Sequence, residues 1–334
     1  MERLPFETVQ GRLAQVLGGL GFSHERADLS ARLFAETTRD GVYSHGINRF
    51  PRLVAMVRNG SVDPAAEPRV EAGAGALERW DGQRGPGNLN AHDAMARALE
   101  LARAHGIGCV AMGNTNHWMR GGTYGWQAAG AGTVGICWTN TMPNVPPWGA
   151  TEPCIGNNPL VIAVPRAKGN VVLDMAMSQF SYGALESCRK RGLMLPVDGG
   201  FDTEGNLTRD PAAIEATQRL LPIGYWKGSG LAVVLDLVAA MLALGNATRD
   251  VVPDPLRETG LSQVFVAINP KALGGEEQMD RIADQVVDSL HACRRANPNE
   301  AVRYPGEQTQ RLREENGRLG LPIDAAIWSE ILAM

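Results

Sequence analysis

Residues Gly130 to Gly135 read GAGTVG, which fits G-x-G-x-x-G, the glycine pattern of a loop that cradles a dinucleotide's pyrophosphate. The pattern works in one context only. The glycines must leave a strand and open a helix, so that phosphates meet the free N–H groups of the helix N-terminus. Here the preceding text, GTYGWQAA, is helical in character, and the following ICWTN reads as a strand. The order is helix, glycines, strand, the reverse of what the loop needs. Gly130 or Gly132 instead reads as the left-handed residue that closes a helix and turns the chain into a strand. The chain contains no other G-x-G-x-x-G, so an ordinary Rossmann domain is not expected.

Outward from that point, apolar spacing predicts helices over Phe6–Gly21 and Ser23–Gly41, the second capped by Ser23, and a third from about Gly46 to Arg58. From Ser61 to Gly85 the text turns to Pro, Gly and short β-like runs. Next come a helix in NLNAHDAMARALELARAHG, a strand in GIGCVAM, and the strand-like runs TVGICWTN, PLVIAVP and NVVLDMAM. SYGALESCRKRG reads as a helix, and LPVDGGFDTEGNLTRDP as a long loop with turn signals at Asp198-Gly199 and Glu204-Gly205. LAVVLDLVAAMLALG, Leu231–Gly245, reads as a buried helix; SQVFVAINP is a strand, a long helix runs from about Glu276 to Ala296, and two helices close the chain. The fold class is α/β (α+β), with a helical N-terminal part and no internal repeat.

The chain has 334 residues, of which 44% are hydrophobic, enough for a large core. Its net charge of −4 and the lack of a basic run argue against nucleic acid or an anionic membrane surface as partners. The N-terminal text carries charges and helical periodicity where a signal peptide would have an apolar block, and the run Leu231–Gly245 falls short of the roughly 20 residues of a membrane span. The five cysteines are scattered without C-x-x-C, and H-E-x-x-H is absent. These features suit a cytoplasmic protein with reduced thiols and no metal site.

Three clusters carry candidate chemistry. YSHGINRF, Tyr43–Phe50, lies in a break between helices, with Arg49 one helical turn after His45. A histidine suits proton transfer near neutrality, and an arginine fork suits a carboxylate. Together they would fit an α-keto acid; the alternative is that Ser44 caps the third helix and His45 is solvated. The second cluster, NTNHWMRGGTYGW, puts His117 and Arg120 at a strand's end, where α/β proteins place ligand contacts or simply hold a loop histidine. Trp118, Trp126, Trp138 and Trp148 fall close together around it and could wall a pocket or fill a core. In the third, YWKGSGLAVVLD, Lys227 precedes Gly228-Ser229-Gly230 at a helix start, as either an anion site or a Ser229 cap.

These clusters, in this order, resemble the type 2 malate/L-lactate dehydrogenase family of NAD(P)-dependent oxidoreductases. The resemblance runs from about Thr8 to Leu332 and is carried by GVYSHGINRFPRLV, NHWMRGGTYGWQAAGAGTVGICWTN, PPWGATEPCIGNNPL, LPVDGGFDTEGNLTRDP and LPIGYWKGSGLAVVLD. It implies a non-Rossmann NAD(P)-binding fold that is one family unit over 1–334. Residues 1–62 with 309–334 would form a mainly helical part, and 63–308 the sheet-based cofactor and substrate part. It implies a homodimer with the active site between domains. His45 would be the proton donor, with Arg49, Ser44 and His117 completing the catalytic set; His117 would either touch the substrate or shape its pocket. Cofactor contacts would fall on Asn170, Val171, Val172, Leu173, Asp174, Met175 and Ala176, on Trp226 and Lys227, and on Gly306, Glu307 and Gln308. The nearest relatives usually read Gly-His-Glu in the last segment, so the carboxylate of Glu307 leaves NADP open beside NAD (NADH). The implied reaction is NADH-dependent reduction of 2,3-diketo-L-gulonate to 3-keto-L-gulonate; malate, lactate, ureidoglycolate and cyclic imino acids are the family's other substrates.

Overall fold

In a computed structural model, which describes residues 2–334, the main sheet has seven strands in the order β2-β3-β4-β10-β5-β6-β7. They are β2 (Arg69–Ala74), β3 (Leu77–Asp81), β4 (Ile107–Asn116), β5 (Val134–Thr139), β6 (Leu160–Val164), β7 (Val171–Met175) and β10 (Thr259–Ile268). Only β3 and β4 pair in parallel, joined by the crossover helix α4 (Gly87–His105); every other neighbour is antiparallel. A doubly wound nucleotide fold needs a mostly parallel sheet, so this is a different α/β architecture. The central strands β4 and β10 are buried along almost their whole length, as strands covered on both faces must be.

The opening glycines sit as their context requires. Helix α5 (Gly122–Gly130) ends, Gly132 adopts φ +74°, and β5 follows. Helices α4 and α5 cover one face of the sheet. Gly125 of α5 lies against Val161 and Val172, so close that a Cβ there would stand 3.2 Å from Val172 Cγ1. On the other face, α8 (Trp226–Ala243) packs Ala239 and Ala243 on Ala111 and Val264.

A second core joins the two ends of the chain. Helices α1 (Phe6–Gly19), α2 (His24–Arg39) and α3 (Phe50–Arg58) pack Leu13, Leu17, Phe34, Phe50 and Leu53 together. Ser23 caps α2, its Oγ accepting the N–H of Arg26 at 3.4 Å. The strand pair β1 (Glu2–Leu4) and β11 (Leu321–Ile323), with α11 (Ala325–Leu332), closes this core. A smaller cluster holds α6 (Tyr182–Lys190), the ribbon β8 (Gly200–Phe201) with β9 (Leu207–Thr208), and α7 (Pro211–Thr217). Helices α9 (Glu276–His291) and α10 (Glu307–Leu319) complete the chain.

Three sequence expectations need correction. The chain does not enter α3 at Gly46; two 3-10 turns, Tyr43–His45 and Ile47–Arg49, come first, because the loop is pinned to the end of α2. The helix expected to reach Ala296 stops at His291. Helix α8 is not a buried helix: Val234, Leu237 and Met241 are more than half exposed at helical spacing, and Leu244, just past the helix end, extends the stripe. By length and composition this helix could cross a membrane, but its Asp236 is held by the N–H of Thr248 at 2.9 Å and the Nδ2 of Asn140 at 2.9 Å.

Candidate active site

The loop carrying His45 is fixed from below by α2. Thr38 Oγ1 accepts the N–H of Ile47 at 2.9 Å, and Gly46 passes so near that a Cβ would run into that hydroxyl and stand 2.9 Å from the Thr38 nitrogen. The glycine of Ser44-His45-Gly46 is therefore a matter of space. Ser44 Oγ lies 2.8 Å from His45 Nδ1, and Arg49 Nε donates to the Ser44 carbonyl at 3.2 Å. Ser44 thus orients the ring through its side chain and Arg49 through its backbone, and it caps no helix.

At the far end of β4, His117 brings its ring nearly parallel to that of His45, with centroids 6.1 Å apart and planes 24° apart. Its Nδ1 accepts the N–H of Met119 at 3.0 Å, which leaves the proton of the neutral ring on Nε2. Arg52 of α3 completes the surroundings and pairs with Glu258 at 2.7 Å. Four residues from two distant stretches, Ser44, His45, Arg49 and His117, come together here.

The charge balance is one-sided. Burial, then the positive charges of Arg49, Arg120 and Arg52, push the pKa of His45 down to about 3. Burial, then Arg49, Arg52 and His45, hold His117 well below the usual imidazole value. Burial and its neighbour Arg52 lower Arg49 itself to about 10. Two neutral imidazoles among arginines make a site for an anion, and a carboxylate placed on Arg49 would cancel part of the field that keeps His45 unprotonated.

Beside this cluster lies a cavity of about 490 Å³, walled by Val42, Arg120, Trp126, Val172–Asp174 of β7, Arg303–Gly306 and Thr309. The segment of β7 and the start of α10 meet directly: Val172 N–H donates to the Pro305 carbonyl at 2.8 Å. Gly306, at φ +95°, would put a Cβ 3.0 Å from Val172 N and 3.3 Å from Trp126, so a side chain there would fill the cradle. Trp126 also borders a second cavity of about 560 Å³, lined among others by Arg166, Gly169, Asn170, Lys271, Gln310 and Arg313. Both fall within the ~300–1,000 Å³ range of small-molecule sites. Asp174 accepts the N–H of Gly122 at 2.9 Å; burial raises its pKa against the opposing effects of Arg120 and that hydrogen bond. An acceptor carboxylate, a guanidinium and a side-chain-free glycine cradle along one wall fit a nicotinamide dinucleotide, which offers ribose hydroxyls and phosphates.

The other expected contacts fall less simply. Trp226 and Lys227 stand exposed at the start of α8, border neither cavity, and follow Ile223, whose N–H bonds the Met177 carbonyl just past β7 at 2.8 Å. Ser229 is no cap; its Oγ accepts the N–H of Trp148 at 3.0 Å. Glu307 begins α10, its carboxylate 3.1 Å from His291 Nε2 and accepting the N–H of Tyr304 at 3.2 Å. Gln308 Oε1 is buried without a partner. The tryptophans do not form one wall: Trp118 is core, Trp126 borders the cavities, Trp138 donates to the Leu235 carbonyl at 3.0 Å, and Trp148 is half exposed against Tyr225.

Sequence reasoning missed Asp40. Its carboxylate accepts Arg120 Nη1 at 2.7 Å and Arg313 Nε and Nη2 at 2.8 and 2.7 Å, joining α2, the end of β4 and α10. Burial raises its pKa, but the hydrogen bond from Arg313 and the charges of Arg120 and Arg313 outweigh that and hold it below the ordinary carboxylate value. The partners lie 80 and 273 residues away in sequence, so spacing carries no trace of the contact.

The chain matches the malate/L-lactate dehydrogenase family over residues 4–332 and belongs to it. It is an oxidoreductase that uses a nicotinamide cofactor and a small acid substrate. Among curated relatives it is similar to the 2,3-diketo-L-gulonate reductase of Escherichia coli (strain K12), at 48% identity over 332 residues, 99% of this chain and 100% of that one. Among solved structures it is similar to sulfolactate dehydrogenase from Methanocaldococcus jannaschii, with TM-score 0.91 and 28% identity over 99% of this chain and 95% of that chain. It is also similar to delta1-piperideine-2-carboxylate reductase from Pseudomonas syringae pvar. tomato, with TM-score 0.89 and 29% identity over 100% of this chain and 99% of that chain.

Proposed function

We propose that this protein reduces 2,3-diketo-L-gulonate to 3-keto-L-gulonate with NADH, as a cytoplasmic homodimer in the breakdown of ascorbate-derived carbon. The observation that carries the reading is the grouping of Ser44, His45, Arg49 and His117 in an arginine-rich site, in a chain 48% identical over its length to a reductase of that name.

In this reading Arg49 takes the substrate carboxylate, which sits beside the ketone, and so sets the carbonyl oxygen toward His45. The reduced nicotinamide, when bound, supplies the hydride to the carbonyl carbon. His45, protonated once the carboxylate has offset the arginine field, gives its proton to the developing alkoxide. While the ring is charged, and after it has given up that proton, Ser44 Oγ accepts from Nδ1–H and keeps the ring in line. His117 offers its Nε2–H to a substrate oxygen, with Nδ1 held by Met119. The cofactor would be held by Asn170–Ala176 and Gly306–Gln308, with Trp226 and Lys227 adding the remaining contacts. The second subunit would cover the apolar stripe of α8.

The test is NADH oxidation, followed by absorbance, with 2,3-diketo-L-gulonate against pyruvate, oxaloacetate and a cyclic imino acid. Turnover with the diketo acid should fall about 10²–10⁴-fold in His45→Ala, the range of general acid help. Turnover with a comparator alone would refute the substrate; silence with all four would refute the reductase reading.

A further inference from the structure

Arg120 has donors that no protein group uses. Its side chain is 5% accessible and borders the 490 Å³ cavity. One edge is engaged: Nη1 donates to Asp40, which Arg313 holds from the other side. The other edge is open. Nε is buried with no acceptor, since Asp174 Oδ2 stands 3.9 Å off and already accepts from Gly122, and Nη2 donates to nothing among the described residues. Leaving a charged donor unmet inside a protein is costly, and a guanidinium edge matches the paired oxygens of a phosphate or carboxylate.

Position decides which anion. Arg49 belongs to the histidine cluster, whereas Arg120 borders the cavity formed by Val42, β7 and the Tyr304–Gly306 turn; His45, Arg49, Arg52 and His117 do not line it, and Val42 and Arg120 connect it to that cluster. Among the charges that act on the two rings, Arg120 acts on His45 but is not one of the main influences on His117. The neighbouring carboxylate of Asp174 favours hydroxyl groups next to the anion and disfavours a second negative charge. Phosphate beside ribose meets both conditions.

We propose that Arg120, locked in place by Asp40, binds a phosphate oxygen on the nicotinamide side of the dinucleotide and so positions the nicotinamide against His45. This rests on the reading of the chain as a nicotinamide-dependent reductase. Wild type, Arg120→Gln and Arg120→Lys would be titrated with NADH, reduced nicotinamide mononucleotide and AMP, following quenching of protein fluorescence, with thermal melts as a folding check. Arg120→Gln should weaken NADH and the mononucleotide on the order of 10- to 100-fold, the worth of a charge-assisted hydrogen bond, and leave AMP unchanged. Arg120→Lys keeps the ion pair but lacks the second edge, and should weaken both about tenfold; it decides the matter if the glutamine variant does not fold. Unchanged NADH and mononucleotide binding would overturn the proposal, as would a loss confined to AMP. Wild type that binds neither NADH nor NADPH would instead overturn the functional reading, and this role with it.

Discussion

In the proposed reaction His45 must be an acid when a carbonyl oxygen becomes an alkoxide, yet in the free protein its pKa is held at about 3. Burial is the largest cause and three arginines add to it; a bound carboxylate offsets the arginine share. Binding of a non-reactive 2-keto-acid analogue such as oxamate should therefore take up a proton near pH 7, up to one per site. Calorimetry in two buffers of different ionisation enthalpy measures it, and the uptake should vanish in His45→Gln; equal uptake in both proteins would sink the role. The same shift touches stability. An unfolded histidine titrates near ~6.5, so between that pH and about 3 the unfolded chain binds more protons at this position than the folded one. Stability should fall as pH drops through that window and be indifferent to His45 above it. Melting temperatures of His45→Gln should decline less steeply with acid than wild type.

At the scale of elements, Asp40 ties the C-terminus of α2 to the segment after β4 and to α10. Removing it leaves Arg120 charged and buried, with only the carboxylate of Asp174 near it, 3.9 Å from Nε. Asp40→Ala should cost about 3–5 kcal/mol, as for breaking a buried ion pair, readable by denaturant unfolding. A loss below about 1 kcal/mol would mean the pair behaves as a surface one. The loop after α2 shows the same dependence on a close approach. Gly46→Ala must push the loop away from Thr38, at about 1–3 kcal/mol, typical of overpacking. It should also lower kcat by moving His45, while NADH affinity, set elsewhere, stays put.

For the whole molecule, the stripe Val234, Leu237, Met241 and Leu244 is an apolar face without a cover in the single chain. If a second copy covers it, Leu237→Glu with Met241→Arg should shift the protein from dimer to monomer in sedimentation velocity. A wild-type monomer, or a variant that stays dimeric, would refute that assembly. The stripe also explains why α8 read as a core helix. Hydropathy records that a side chain avoids water, and cannot say whether its own chain or another supplies the shelter.

What the sequence settled was local. The glycines of GAGTVG lie between a helix and a strand, which sufficed to exclude the Rossmann loop, and Ser44-His45-Gly46 with Arg49 four residues on from His45 marked the candidate site because those contacts lie within a few residues. Strand order, the antiparallel sheet, the stacking of His117 on His45 and the Asp40 clamp were decided by tertiary structure alone. They join residues tens to hundreds of positions apart, and no periodicity or spacing in one chain encodes which distant groups packing will bring into contact.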